Sequence, residues 1–300
     1  MSPRLRSALL WVLAVVMMLS SAVYQRLTGP TNPVRGEIVV DGQPQRYRLL
    51  RSEESVRDAR IAVPSPMPGA AGRVIYRRYP TTDRFRLARM VTETTGDGGE
   101  ELAAYLPAQP AAGKLEYRIE VSSPSGILHI PSGGEGMDRA TIVMRFKDPV
   151  PLPVLLSHIV FMFFAVLIGM RAALGALFAH GDVHRLSWVT LGLMSVGGMV
   201  LGPIVQKFAF GAYWTGFPWG YDLTDNKTLI MWAVWIAACA ALGWKPRSER
   251  PSWRARVAVL AAAVVMTVVY LIPHSLRGSE LDYGAVDEGA PSQEAVRTGG

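Results

Sequence analysis

The sequence predicts an all-α transmembrane helical bundle carrying an exported all-β domain, and three observations support that fold class. Apolar runs at 8–24, 152–178, 187–206, 228–244 and 256–272 are each near the length that crosses about 30 Å of hydrocarbon. The intervening stretch, 35–149, has short alternating segments punctuated by Gly, Pro and Asp, with no useful helical period. Lys and Arg concentrate in alternate connectors, the pattern that orients membrane helices.

Taken in order, Arg4 and Arg6 precede the first apolar run, so residues 1–34 are read as a signal anchor and linker. Ser20-Ser21-Ala22 would also suit a cleaved signal peptide. GEIVVDGQPQRYRLL predicts two strands about an Asp41-Gly42 turn. KLEYRIEV places Leu115, Tyr117, Ile119 and Val121 on one face, and TIVMRFK does the same with Ile142, Met144 and Phe146. These segments predict a compact antiparallel β-sandwich over 35–149. VIYRRYPTTD followed by ELAAYLPAQPAAGKLEYRIE resembles the strand pattern of fibronectin-III and immunoglobulin-like modules. That resemblance implies an architecture, and a surface for an envelope or redox protein partner, without fixing a purpose. No catalytic constellation is found there, and His129 reads as an ordinary loop residue.

Residues 150–277 are read as a four-helix transmembrane domain. AHGDVHR carries Arg185, and KPRSERPSWRAR carries Lys245, Arg247, Arg250, Arg254 and Arg256. The positive-inside rule places both connectors in the cytoplasm, and the Trp-rich loop 207–228 and the β-domain outside. The expected location is the bacterial cytoplasmic (inner) membrane, with several passes through the lipid bilayer. The net charge of +7 then orients helices, and no nucleic-acid partner is expected. The single cysteine, Cys239, excludes a disulfide framework, a CxxC pair or a CxxCH haem attachment. Arg171 is expected to snorkel toward the inner headgroups, and His180 with His184 make a weak metal pair. Residues 278–300, rich in Gly, Ala, Glu and Asp, read as a disordered tail.

The chemistry-bearing cluster lies on the outer side. Trp214, Trp219, Trp232 and Trp235 accompany Tyr213, Tyr221, Asp222, Asp225 and Lys227. His158, one turn into the second run, and His274, at the end of the last, fall at the same depth. A histidine in an apolar helix needs a partner for its ring nitrogens, and a flat macrocycle with a central iron would supply one. Lys207, Lys227 and Arg277 could pair with propionates. The competing readings are an aromatic anchoring belt, in an envelope interaction or scaffold module that holds no cofactor, and another small-molecule or ion pathway.

The stretch WTGFPWGYDLTDNKTLIMWAVW resembles the tryptophan-rich periplasmic signature of the haem-handling membrane proteins of cytochrome c biogenesis, over about 151–277. The resemblance implies haem b ligated through iron by His158 and His274, with Trp214, Trp219, Asp222 and Trp232 lining the cofactor. It also implies a role in haem handling or electron transfer. The match departs in its Trp-x4-Trp-x2-Asp spacing, in Tyr221 or Gly220 where a tryptophan is expected, and in having fewer spanning segments. Whether the protein is an enzyme is left open.

Overall fold

A computed structural model describes residues 2–40, 42–96, 98–123, 126–133, 140–245, 251–273 and 279–298. The chain divides into two compact units. One comprises Met1–Pro30, Val150–Gly278 and Thr298–Gly300; the other comprises Thr31–Pro149 and Ser279–Arg297.

The first unit is helical: α1 (Pro3–Thr28), α2 (Leu152–Phe178), α3 (Val183–Met194), α4 (Gly202–Phe210), α5 (Leu223–Leu242) and α6 (Trp253–Leu271). A π-helical turn, Ser195–Leu201, joins α3 to α4 without a break. Four helices are long and apolar enough to cross a membrane: α1, α2, the continuous rod Val183–Phe210, and α6. The fourth run of the sequence reading, 228–244, is α5, whose polar first turn carries Asp225 and Lys227. Helix starts follow the sequence chemistry. Asp182, Asp222 and Ser252 each accept backbone N–H bonds at the head of α3, α5 and α6, which satisfies donors that have no partner within the helix.

One hydrophobic core runs through this unit, and α1 is part of it. Leu10, Ala14 and Met18 pack with Met170, Trp235, Val259 and Met266, and Gln25 Nε2 donates to Tyr270 O at 2.8 Å. The N-terminal segment is thus a member of the bundle, not an appendage to a four-helix core.

The second unit holds several β-sheets. The largest has the order β3 (Ser52–Glu54), β11 (Ile142–Lys147), β9 (Lys114–Ser123), β5 (Gly72–Arg78) and β6 (Arg86–Arg89), with β10 (Gly126–Ile130) also on β9. A three-stranded sheet runs β4 (Ala59–Pro64), β8 (Glu100–Leu106), β7 (Val91–Thr94), and β1 (Val34–Val40) pairs with β2 (Gln43–Leu49). The apolar face of β9 enters the core as expected, although Lys114 and Glu116 on its other face are buried too. Leu115, Tyr117, Ile119 and Val121 enter the same core as Ile61 and Val63 of β4 and Leu102 and Leu106 of β8. The sheets are not wholly antiparallel, because β3 pairs with β11 in parallel register. His129 lies in β10, opposite Glu120, and not in a loop.

Within the segment expected to be disordered, residues 279–298 are folded. β12 (Ser279–Leu281), α7 (Tyr283–Asp287) and β13 (Val296–Thr298) bury Leu281, Tyr283 and Ala295 in a small cluster. The Tyr283 hydroxyl accepts Lys114 N–H at 2.9 Å and faces Lys114 O at 2.9 Å and Gln109 Oε1 at 3.1 Å. Arg78 adds a two-pronged pair to Asp287 at 2.7 Å for both bonds. A polar composition lowers the chance of an independent core, but a few anchors suffice against a surface that already exists.

Candidate functional site: the Trp-rich loop and the histidine facing the π-turn

The Trp-rich loop is built by its polar residues. α4 ends at Gly211, in the left-handed region with φ 84°. Asp225, in the first turn of α5, then reaches back to the loop. Its Oδ2 accepts Thr215 N–H at 2.6 Å and the Thr215 hydroxyl at 3.2 Å, while Gln206 Nε2 donates to that hydroxyl at 2.6 Å. Asn226 Oδ1 accepts Phe217 N–H at 2.7 Å, and Asp222 N–H closes the loop on Thr215 O at 3.0 Å. Gly216 is required where it stands, since a Cβ there would fall 2.6 Å from Asp225 Cβ. Asp222 Oδ1 caps α5 through Thr224 N–H at 2.8 Å. These carboxylates therefore hold the loop and the helix start.

The indoles separate into two groups. Trp214 Nε1–H is spent on Phe217 O at 3.0 Å, and Trp219 stands 80% exposed beside exposed Tyr213, Phe217 and Tyr221. Trp232 and Trp235 instead point into the bundle. Trp232 Nε1–H donates to Ser195 Oγ at 3.0 Å. Trp235 is fully buried, with Nε1–H on Met266 Sδ at 3.2 Å.

His158 sits in α2 facing the π-turn. Its Nδ1 lies 2.8 Å from Gly197 O, and a carbonyl only accepts, so Nδ1 carries the proton. The same oxygen accepts the Gly202 N–H, five residues on. Pro203, in the first turn of α4, has no N–H to continue an α ladder, and a π-turn absorbs that loss. Gly197 and Gly198 allow the approach. A Cβ on Gly197 would lie 2.8 Å from Phe161 Cβ, and one on Gly198 2.8 Å from Thr228 Cγ2. α2, the π-turn and α5 thus meet at backbone distance. The structure brings His158 and Trp232 onto this one turn, while Trp214, Trp219 and Asp222 belong to the loop.

A haem ligand must present a nitrogen lone pair, usually with the other ring nitrogen donating to a carbonyl or carboxylate. His158 meets that requirement: Nδ1–H is fixed by Gly197 and Nε2 has no partner among the described residues. The proposed second ligand, His274, lies outside the described residues, as does Arg277. Lys207 Nζ donates to Gly211 O and Lys227 Nζ to Ile272 O, so these expected propionate partners are engaged within the fold. Among the described residues no group of three His, Cys, Asp or Glu could hold a metal ion.

At the opposite end of the rod, a cleft of about 500 Å³ is lined by Asp182, His184, Arg185, Trp188, Val189 and Trp244. His184 Nε2 donates to Gly243 O at 2.9 Å. Sequence reasoning missed the Gly197 carbonyl, Ser195, Gln206, Thr215 and Asn226. Gly197-Gly198 followed by Gly202-Pro203 was the available signal for an interrupted helix. No protein-family model, curated protein or solved structure matches this chain.

Proposed function

We propose that the protein is a multi-pass component of the bacterial cytoplasmic membrane that binds haem b through His158, for haem handling or electron transfer near its outer face. The observation that carries this reading is the fixed ring of His158, with Nδ1–H bonded to Gly197 O and the Nε2 lone pair left for iron. Haem would supply reversible one-electron chemistry. The chain's own contribution is to orient the imidazole from the π-turn, with the Trp232 indole tied to the same turn at Ser195. His274, with Trp214, Trp219 and Asp222 in the loop, belongs to the same proposal as second ligand and surround.

Topology supports the placement. The tail from Ser279 folds with the β-unit, so the chain crosses the bilayer an even number of times between Val150 and Ser279. α2, the rod Val183–Phe210 and α6 make three, and α5 supplies the fourth. The basic connectors then lie on the cytoplasmic side. The test is to purify the protein in mild detergent after expression with ample haem. About one haem b per chain is expected, with the loss of most of it in His158→Ala. A colourless wild-type protein overturns the reading.

A second reading is favoured by the self-satisfied loop: an envelope interaction module whose exposed Trp219, Tyr221 and Phe217 anchor it at the interface, with no cofactor. In that case partner capture follows the β-domain, and His158→Ala leaves it intact.

A further inference from the structure

Arg171 lies in α2, roughly two turns before its end, and only 2% of it is exposed. Its Nε and Nη1 are both enclosed without an acceptor among the described residues. The guanidinium stacks on Trp11 of α1, 5.5 Å from the ring centroid. Gly175 of α2 and Gly181 of the following turn pack against it. A Cβ on Gly175 would fall 3.2 Å from Nη1, and one on Gly181 3.1 Å from Nη2. A snorkelling arginine keeps its head in water; this one is held under the turn.

Two neighbouring arginines show what the local carbonyls are used for. Arg6 donates to Phe178 O at 2.6 Å. Arg256 donates to Ala176 O at 2.6 Å and Leu177 O at 3.1 Å. They complete the C-terminal end of α2, where the helix dipole favours cations. Among the described residues no carboxylate is paired with Arg171. Within residues 2–7, 171–188 and 251–256 the sole acidic residue is Asp182, and its Oδ1 accepts the Arg185 N–H at 2.9 Å. An enclosed, unpaired charge at membrane depth is costly, and a guanidinium fork matches two oxygens of a phosphate.

We propose that Arg171 is the receptor for a phosphate oxyanion at the basic end of the bundle. The phosphate belongs either to an anionic phospholipid headgroup or to free inorganic phosphate, and one experiment separates the two. Full-length protein in neutral detergent is titrated with phosphatidylglycerol, phosphatidylcholine or inorganic phosphate, while bound lipid is counted by native mass spectrometry and the melting temperature is followed. A rise in melting temperature with phosphatidylglycerol, with retained lipid, identifies the lipid source; a rise with inorganic phosphate alone identifies the free ion. In Arg171→Met the half-saturating concentration should rise at least tenfold. Arg171→Lys keeps the charge without the fork and should weaken the response several-fold while the protein still folds. A wild type that responds to neither phosphate source, or that responds equally to phosphatidylcholine, overturns the proposal. So does a response unchanged in the lysine or methionine variant.

Discussion

Asp225 shows how a residue's type can be legible while its use is not. A carboxylate beside indoles suits a ligand pocket, but here its oxygens are taken by Thr215 N–H and hydroxyl. Spacing could not disclose this, because Thr215 approaches only once the loop has turned. Asp225→Ala should leave the buried Thr215 N–H without an acceptor, at a cost of about 1–3 kcal/mol. Thermal unfolding of the purified protein would measure it, and an unchanged melting temperature would contradict the assignment. Arg78 makes a second residue-scale case. Its guanidinium holds the carboxyls of both Asp83 and Asp287 below their ordinary value of 3.8, chiefly through hydrogen bonds. A depressed carboxyl contributes stability above the unfolded value and loses it as pH falls through the folded value. Docking of the tail should therefore weaken on acidification below 3.8. Limited proteolysis between pH 7 and pH 3, scored at the tail by mass spectrometry, should show new cleavage at the acid end. Arg78→Ala should show it already at neutral pH.

At the scale of elements, the helices and the core face of β9 were legible because burial imposes a period on sequence. Leu115, Tyr117, Ile119 and Val121 could be placed for that reason, and so could the apolar runs. The π-turn was not legible in this way. Ser195–Leu201 is apolar at every residue except Ser195 and its glycines; Gly197-Gly198 ahead of Gly202-Pro203 marks an interruption but not its kind. Its distinguishing cause is tertiary: Gly197 and Gly198 meet α2 and α5 at distances that exclude a Cβ. Gly198→Ala should force Thr228 aside and cost about 1–3 kcal/mol by overpacking. Gly192→Ala, at a site with nothing within 4 Å of the new Cβ, serves as the control and should be neutral or slightly stabilising. Equal melting temperatures for the two variants would remove the argument for a close approach. The tail failed for the opposite reason. Its anchors are few and lie far from their partners in sequence, as Tyr283 and Lys114 do, so composition alone made it look unstructured.

On the scale of the whole molecule, the helical unit and the tail constrain the topology together. The sequence supplied the apolar runs and the charge bias, but α5 has charged residues in its first turn and does not stand among the four most apolar helices. The fold of residues 279–297 with the β-unit supports the proposal that α5 crosses as well. In a Cys239→Ala background, single cysteines at Thr31 and Ser292 should react with an impermeant thiol reagent from one side of sealed vesicles, and a cysteine at Lys245 only from the other. Labelling of Ser292→Cys and Lys245→Cys from the same side would contradict four crossings after the β-domain. The candidate haem site depends on that topology, since His158 and the loop must lie at the same face.

The central claim is that His158 places an imidazole on haem iron. Its most direct test is the electron paramagnetic resonance spectrum of the ferric protein, recorded for wild type, His158→Ala, and His158→Ala with added imidazole. A low-spin signal in wild type, lost in the variant and restored by imidazole, is the predicted result. A low-spin signal that persists unchanged in His158→Ala without imidazole, or a wild-type protein with no haem signal at all, would contradict it.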